Sequence, residues 1–209
     1  MPQCKLIDKI DQNTISPKVP LGDLKECIYI AIGGNQSFKL CSIVLKIGMA
    51  LSDFEQAGIK IRSVSRFFST PCFPADAGPD YVNAAVSINW NGDGNSLLHC
   101  LHALEAQYGR ERTKRWGQRT LDLDVIGAGN TVLPDLERFS RWRDLAPDRQ
   151  RVETPDQLIM PHPRMQDRAF VLVPLADIAG DWCHPVSGVT VHQMVAALPP
   201  SDVEAVRPL

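Results

Sequence analysis

The 209-residue chain has no long hydrophobic run: its longest uninterrupted apolar stretch, residues 27–32, is far short of the about 20 residues that cross a bilayer. No membrane partner is expected. Residues 1–25 are interrupted by Lys5, Asp8, Lys9 and Asp11 and contain nothing resembling a signal sequence, so 1–26 reads as a weakly structured arm. Charge of one sign is also missing. With 22 basic against 24 acidic side chains and a net charge of −2, the chain is not built to hold nucleic acid by bulk electrostatics, and any anion site must be local. The six cysteines, at positions 4, 27, 41, 72, 100 and 183, form no C-x-x-C pair and no cluster, which excludes a zinc ribbon, a thioredoxin motif and a disulfide scaffold. A reducing, cytoplasmic setting is expected. Neither G-x-x-x-x-G-K-[ST] nor G-x-G-x-x-G occurs, and Gly127-Ala128-Gly129 followed by Asn130-Thr131-Val132 reads as a turn. Repeats and low-complexity tracts are absent.

What is present suits one globular domain: 44% of the residues are apolar and 22% charged, in a chain long enough to bury a core without staples. Residues 27–32 predict a first strand, ended by the turn Gly33-Gly34-Asn35, whose backbone N–H groups could face an anion. A helix follows, capped by Ser37 and stopped at Gly58, with Phe38, Cys41, Val44, Leu45, Gly48 and Leu51 as its apolar face. Residues 59–68 predict a second strand, 70–79 a proline-interrupted loop, and 81–90 a third strand. Asn95 or Ser96 caps a second helix with Leu97, Leu98, Leu101, Leu104 and Tyr108 inward, and 120–126 predicts a fourth strand with a short return at 131–133. Strand, helix, strand, strand, helix, strand is the ferredoxin-like split β-α-β pattern of an α+β fold, with helices packed on one sheet. Residues 134–157 form an extended loop with three prolines and eleven charged residues, carrying one short helix around Phe139, Trp142 and Leu145. Beyond it, 169–175 predicts a buried edge strand stopped by Pro174, and 190–198 a terminal helix.

The chemistry concentrates in residues 109–124. Alternation along a strand puts Asp122 and Asp124 on one face, and Leu121, Leu123 and Val125 on the other. Their α-carbons are about 6–7 Å apart, a separation that lets both side chains bracket a magnesium pair about 3.5–4 Å apart. Upstream, Arg110, Arg112, Lys114, Arg115 and Arg119 against the single Glu111 give a local charge of +4 (five minus one). Cations and paired carboxylates from consecutive segments suit a magnesium-bridged polyphosphate. Taken singly, an acidic pair is a solvated strand face and a basic run a solvent-exposed one; adjacency gives them meaning.

These residues, with Ile30-Ala31-Ile32-Gly33-Gly34-Asn35, Pro79-Asp80-Tyr81-Val82-Asn83-Ala84-Ala85-Val86 and 161–172 (Pro-His-Pro-Arg-Met-Gln-Asp-Arg-Ala-Phe-Val-Leu), resemble the 6-hydroxymethyl-7,8-dihydropterin pyrophosphokinases of the folate pathway. The resemblance runs from about Tyr29 to Gly188. It implies ATP and hydroxymethyl-dihydropterin as substrates, pyrophosphate transfer with release of AMP, and two magnesium ions on Asp122 and Asp124. It implies Arg110 and Arg119 as catalytic cations and Tyr81 and Phe170 as pterin-stacking rings. Asn83 becomes the pterin-amide partner, and Thr70, Pro71, Phe73 and Trp116 line that pocket. ATP contacts fall on Glu105, Arg110, Arg112, Arg115, His162 and Arg168. A monomer, or at most a weak dimer, without a nucleic-acid partner is expected. The chain departs from the family in having Gly34 where Ser is usual, a basic loop one residue shorter than in some members, and the long 134–157 connection.

Other candidates carry less. His99 and His102 share a helix face without a third metal ligand, His184 and His192 have no sequence partner, and Cys72 has no activating base. The competing class is a single-stranded RNA module, which presents stacking rings on an open sheet face. The central strands carry Ala31, Ser63 and Leu123 instead.

Overall fold

The structure, a computed structural model, describes residues 26–35, 40–72, 78–109, 120–150 and 152–209. Of the expected arm at 1–26, only Glu26 is described; the remainder lies outside these residues, as does Ser37. Strand β1 (Ile28–Gly34) leads through helix α1 (Leu40–Gln56) to β2 (Lys60–Val64) and β3 (Phe68–Thr70). The long strand β4 (Tyr81–Asn89) is followed by α2 (Gly94–Gln107) and β5 (Asp122–Ala128). Helices α3 (Leu136–Arg143), α4 (Pro147–Gln150), α5 (Ala169–Ala179), α6 (Val191–Ala197) and α7 (Pro200–Glu204) and the short β6 (Arg207–Pro208) complete the chain.

The strands form one antiparallel sheet in the order β5-β1-β4-β3-β6, with β2 pairing β4 alongside β3. This is the ferredoxin-like arrangement expected, with its second strand broken in two. At the break, the Ser65 N–H donates to Ala85 O at 2.9 Å and Ser65 Oγ accepts from Ala85 N at 2.8 Å. A side chain thus replaces the ladder bond that the kink removes.

Period-2 alternation sorts the sheet into two faces. Ile28, Ile30, Ile32, Val82, Val86, Ile88, Leu123 and Val125 face one core, closed by Ile43, Ile47, Ala50 and Phe54 of α1 and by Leu97, Leu101 and Leu104 of α2. Tyr29, Ala31, Ala85 and Ile126 face the other, closed by Val171, Leu172 and Leu175 of α5 and by Val191 and Met194 of α6. Small residues at 31 and 85 let α5 approach the sheet closely. Among the described residues helices pack on both faces of the sheet, which counts against the open platform that the RNA reading needs.

Several expectations need correction. Residues 169–175 are helical, not an edge strand: a run that is apolar along its whole length reads alike in either form, and Pro174 sits inside α5, its ring buried where it contributes packing despite the lost N–H. The core face of α1 is Ile43, Ile47, Ala50 and Phe54, while Leu45 of the predicted face is 69% exposed. That helix is apolar on overlapping stripes, and periodicity alone could not choose between them. Gly33 and Gly34 belong to β1 and not to a turn. Asp93 is the cap of α2, accepting from Ser96 N at 2.7 Å. Within 134–157, α3 is the short helix expected there and α4 a second one that was not, and of the apolar trio Phe139 and Leu145 are buried. The return at 131–133 makes a single bridge, Leu133 to Met160. The stop of α1 at Gly58, with φ +82°, and the terminal helix, capped by Thr190 over Gln193, match expectation.

Candidate functional site

One row of paired residues crosses the sheet: Phe68 on β3 opposes Asn83 on β4, Asn83 opposes Gly33 on β1, and Gly33 opposes Asp122 on β5. The rows beside it pair Thr70 with Tyr81, and Ala85 with Ala31 and then Asp124. Paired residues share a face, so Thr70, Tyr81, Asn83, Asp122 and Asp124 project on the side covered by α5. Two strand spacings, about 10 Å, separate the backbone of Asn83 from that of Asp122. That gap accommodates a flat ring beside a cation site.

Each side chain is held locally. Asn83 is buried, and its Nδ2 donates to Thr70 Oγ1 at 2.7 Å. Gly33 leaves room for it, since a Cβ there would stand 2.6 Å from Asn83 Oδ1. Asn35, at the end of β1, donates from Nδ2 to Pro79 O at 3.4 Å, tying down the segment that enters β4. On the acidic side, Asp122 and Asp124 are half-buried on one face of β5, while Leu123 and Val125 between and after them are buried on the other.

The segment after Met160 brings the remaining residues in. The His162 N–H donates to Ile126 O at 2.8 Å, at a bulge in β5, and the imidazole Nδ1 accepts from Arg164 N at 3.2 Å. Burial, with the Arg168 and Arg164 guanidinium groups nearby, pushes the His162 imidazole down to about 3, opposed only in part by Asp122. It is therefore neutral at ordinary pH. With Nδ1 accepting, Nε2 carries the proton and is a donor. Arg168 caps α5, and its guanidinium lies 5.7 Å from the centroid of the Phe170 ring, which is 42% exposed on the first turn. Ala169 packs with Phe68, so the start of α5 lies over the strand that pairs with Asn83.

Of the residues predicted from the sequence, the structure gathers Thr70, Tyr81, Asn83, Asp122 and Asp124 on one face, with His162, Arg168 and Phe170 supplied by the segment that packs on it. Pro71 is exposed just past β3. Phe73, Arg110, Arg112, Arg115, Trp116 and Arg119 lie outside the described residues. Glu105 is buried on α2, where its Oε1 accepts the Leu123 N–H at 2.8 Å. Sequence reading missed this contact and the Thr70–Asn83 bond. For Glu105 there was a signal, since it falls four residues after Leu101 on the buried stripe of α2.

Comparison with known proteins gives the family. The family model described as 7,8-dihydro-6-hydroxymethylpterin-pyrophosphokinase (HPPK) matches residues 29–180. A 2-amino-4-hydroxy-6-hydroxymethyldihydropteridine pyrophosphokinase of Pseudomonas aeruginosa is 36% identical over 179 residues, covering 85% of this chain and 94% of that protein. The protein of the same name from Synechocystis is 38% identical over 153 residues, 73% of this chain and 66% of the relative. Among solved structures, wild-type Plasmodium falciparum HPPK-DHPS superposes with a TM-score of 0.55 at 13% identity, over 84% of this chain and 45% of that one, a likeness of fold alone. The model's span includes the Asn83 row, both aspartates of β5 and the His162–Phe170 segment, and with more than half of its residues inside that span the chain belongs to the HPPK family.

Proposed function

We propose that this chain transfers pyrophosphate from ATP to the hydroxymethyl group of 6-hydroxymethyl-7,8-dihydropterin, releasing AMP, as a step of folate biosynthesis. The observation that carries the reading is the shared face: a buried amide locked by Thr70 on one side of Gly33, and a pair of carboxylates on the other. In the reaction, the pterin hydroxyl oxygen attacks the β-phosphorus in line. The new O–P bond forms as the bond to the α-phosphate bridging oxygen breaks; AMP leaves and the hydroxyl proton is lost.

Asn83 reads the pterin amide edge, because Thr70 fixes its side chain with a donor and an acceptor in place. Tyr81 and Phe170 supply aromatic faces for the ring. His162 offers its Nε2–H, and Arg168 a guanidinium, to phosphate oxygens. Magnesium fits Asp122 and Asp124, since this ion keeps several waters and takes one or two carboxylates together with substrate phosphates. When bound, two such ions would neutralise and align the triphosphate. Arg110, Arg112, Arg115, Trp116 and Arg119 complete this reading as the basic segment closing on the nucleotide, bound before the pterin. Catalysis is then positioning and charge neutralisation with no strong protein base.

We place the chain in the cytoplasm as a monomer. Among the described residues no helix is long and apolar enough to cross a membrane, and Cys27, Cys41, Cys72, Cys100 and Cys183 are free thiols. The test is direct: incubate the protein with ATP, Mg²⁺ and hydroxymethyl-dihydropterin and identify the nucleotide product. AMP with pterin pyrophosphate is expected; ADP, or no pterin-dependent product, would reject the reading.

A further inference from the structure

We propose that Glu105 is a positioning residue for the acidic pair: by holding the Leu123 N–H from the outer side of β5, its carboxyl sets where Asp122 and Asp124 point. This rests on the reading of those aspartates as the magnesium-binding pair.

Among the described residues, β5 lies at one end of the sheet and pairs with β1 alone. Backbone groups on its outer side have no strand to bond, and an unsupported edge strand twists and opens more readily than a central one. Leu123 is the residue between the two carboxylates. Its N–H reaches Glu105 Oε1 at 2.8 Å, and its side chain is 2% exposed in the core shared with α2. One backbone contact at the midpoint therefore governs both neighbours. With Leu123 held by its amide and its side chain, strand alternation obliges residues 122 and 124 to project together onto the opposite face.

The cost of this arrangement argues for its use. Glu105 is 1% exposed, and among the described residues it is the only Asp, Glu, Lys or Arg side chain that is fully buried. A buried carboxyl is expensive unless it is hydrogen-bonded. A helix needing only to pack on β5 would carry a leucine at this position, as α2 does at Leu97, Leu101 and Leu104. A carboxyl is useful where a strand edge has an amide to satisfy.

The test compares E105A with E105Q. Gln keeps a carbonyl oxygen that can accept the Leu123 N–H, and Ala removes it. E105A should lose about 10- to 100-fold in kcat, the scale on which groups that orient metal ligands act, and should need more Mg²⁺ for half-maximal rate. Its KM for the pterin should be unchanged, because Asn83 and Thr70 lie on β4 and β3. E105Q should stay within about threefold of wild type, since an amide carbonyl makes a net contribution similar to the bond it replaces. Hydrogen exchange at the Leu123 amide reads the contact without activity: slow in wild type and E105Q, fast in E105A. If E105A does not fold, E105Q and the exchange measurement decide alone.

Three results would each overturn the inference: a folded E105Q as impaired as E105A, since charge or direct nucleotide contact would then be what matters; an E105A with unchanged kcat and Mg²⁺ requirement; or a Leu123 amide equally protected without an acceptor at 105. Failure of the wild-type protein to make AMP would instead reject the pyrophosphokinase reading, and this inference with it.

Discussion

Strands β4 and β5 both carry residues of the site, and they are held in different ways. β4 is paired along both edges, by β1 on one side and by β2 and β3 on the other, and every residue from Val82 to Ile88 is buried. Asn83 therefore inherits its position from the sheet, and a single side-chain bond to Thr70 sets its rotamer. Among the described residues β5 is paired on one edge only, and it presents two half-buried carboxylates. Its outer side is held by contacts from other elements, Glu105 at Leu123 and His162 at Ile126. The pterin half of the proposed site is thus part of the scaffold, and the metal half is attached to it. Substitutions on β5 should affect rate far more than stability; those on β4 should affect pterin recognition.

The largest effect tests the attached half. D122A and D124A should each lower kcat by at least about a hundredfold, because a lost ligand does more harm than a lost contact that only orients one. Their melting temperatures should stay within about 2 °C of wild type, as for a substitution outside the core. AMP production from either variant near the wild-type rate would dissolve the distinction between the halves. The scaffold half gives a smaller and different loss. N83A removes the amide and leaves Thr70 without its donor, so the KM for the pterin should rise about 10- to 100-fold, the range for one lost hydrogen-bonding group. G33A should act in the same direction, since its Cβ would meet Asn83 Oδ1 at 2.6 Å. An unchanged KM for ATP in both variants would sharpen the contrast; a matched rise in both KM values would erase it.

The sequence revealed more of the site than of the way it is held. Alternation alone put Asp122 and Asp124 on one face, and element order alone gave the ferredoxin-like sheet, because both follow from local periodicity. The packing of 169–175 was misread because a uniformly apolar segment has no period, and only the contacts of Val171, Leu172 and Leu175 with the sheet decide that it is a helix. The cap of α2 was displaced by two or three residues because Asp93, Asn95 and Ser96 are all competent caps, and the choice depends on where the chain leaves Trp90. Glu105 and Gly33 act on residues far away in sequence, Leu123 and Asn83, and no local pattern encodes such pairs.

A third region connects the far end of β5 to the inserted helices. His184 is buried between Phe139 of α3 and Trp182, with ring centroids 5.8 and 6.2 Å away, and its Nδ1 accepts from Val186 N and Ser187 N. Burial, aided by Arg143, pushes its imidazole below the ordinary histidine value of 6.5. The unfolded chain then takes up a proton near pH 6.5 while the folded chain does so only at lower pH. The stability that neutral His184 contributes is complete above pH 6.5 and is lost as the pH falls from there. In H184N, whose amide oxygen can replace Nδ1 as acceptor, the melting temperature should fall less between pH 6.5 and 5 than in wild type. AMP formation at neutral pH should not change, since His184 lies at the end of the sheet away from Asp122. Parallel melting curves across that range would remove His184 from the pH response.

The smallest effect concerns the break between β2 and β3, where the scaffold half itself borrows support from α5. Arg66 donates from Nε and Nη2 to the two carboxylate oxygens of Asp177, at 2.9 and 2.8 Å, and its backbone N–H adds a third bond at 3.2 Å. The guanidinium also lies 5.3 Å from the Phe68 ring centroid, beside the row that carries Asn83. Its geometry is bidentate, yet the Arg66 side chain is 65% exposed, so solvent screening outweighs proximity and the pair should couple by only about 0.2–1 kcal/mol. A double-mutant cycle of R66A, D177A and the double variant measures that coupling directly, free of what either side chain does alone. Hydrogen bonding from Arg66 holds the Asp177 carboxyl below its ordinary value, so the coupling should be present at neutral pH and vanish as the pH falls below about 4, when the carboxylate protonates. Pterin KM should move by less than about threefold, because Asn83 is fixed by Thr70 and the sheet whether or not the kink is clamped. A coupling well above 1 kcal/mol, or a pterin KM that follows it, would show that the central strand depends on an outside tie as β5 does, and the two halves of the site would then be held by one principle and not two.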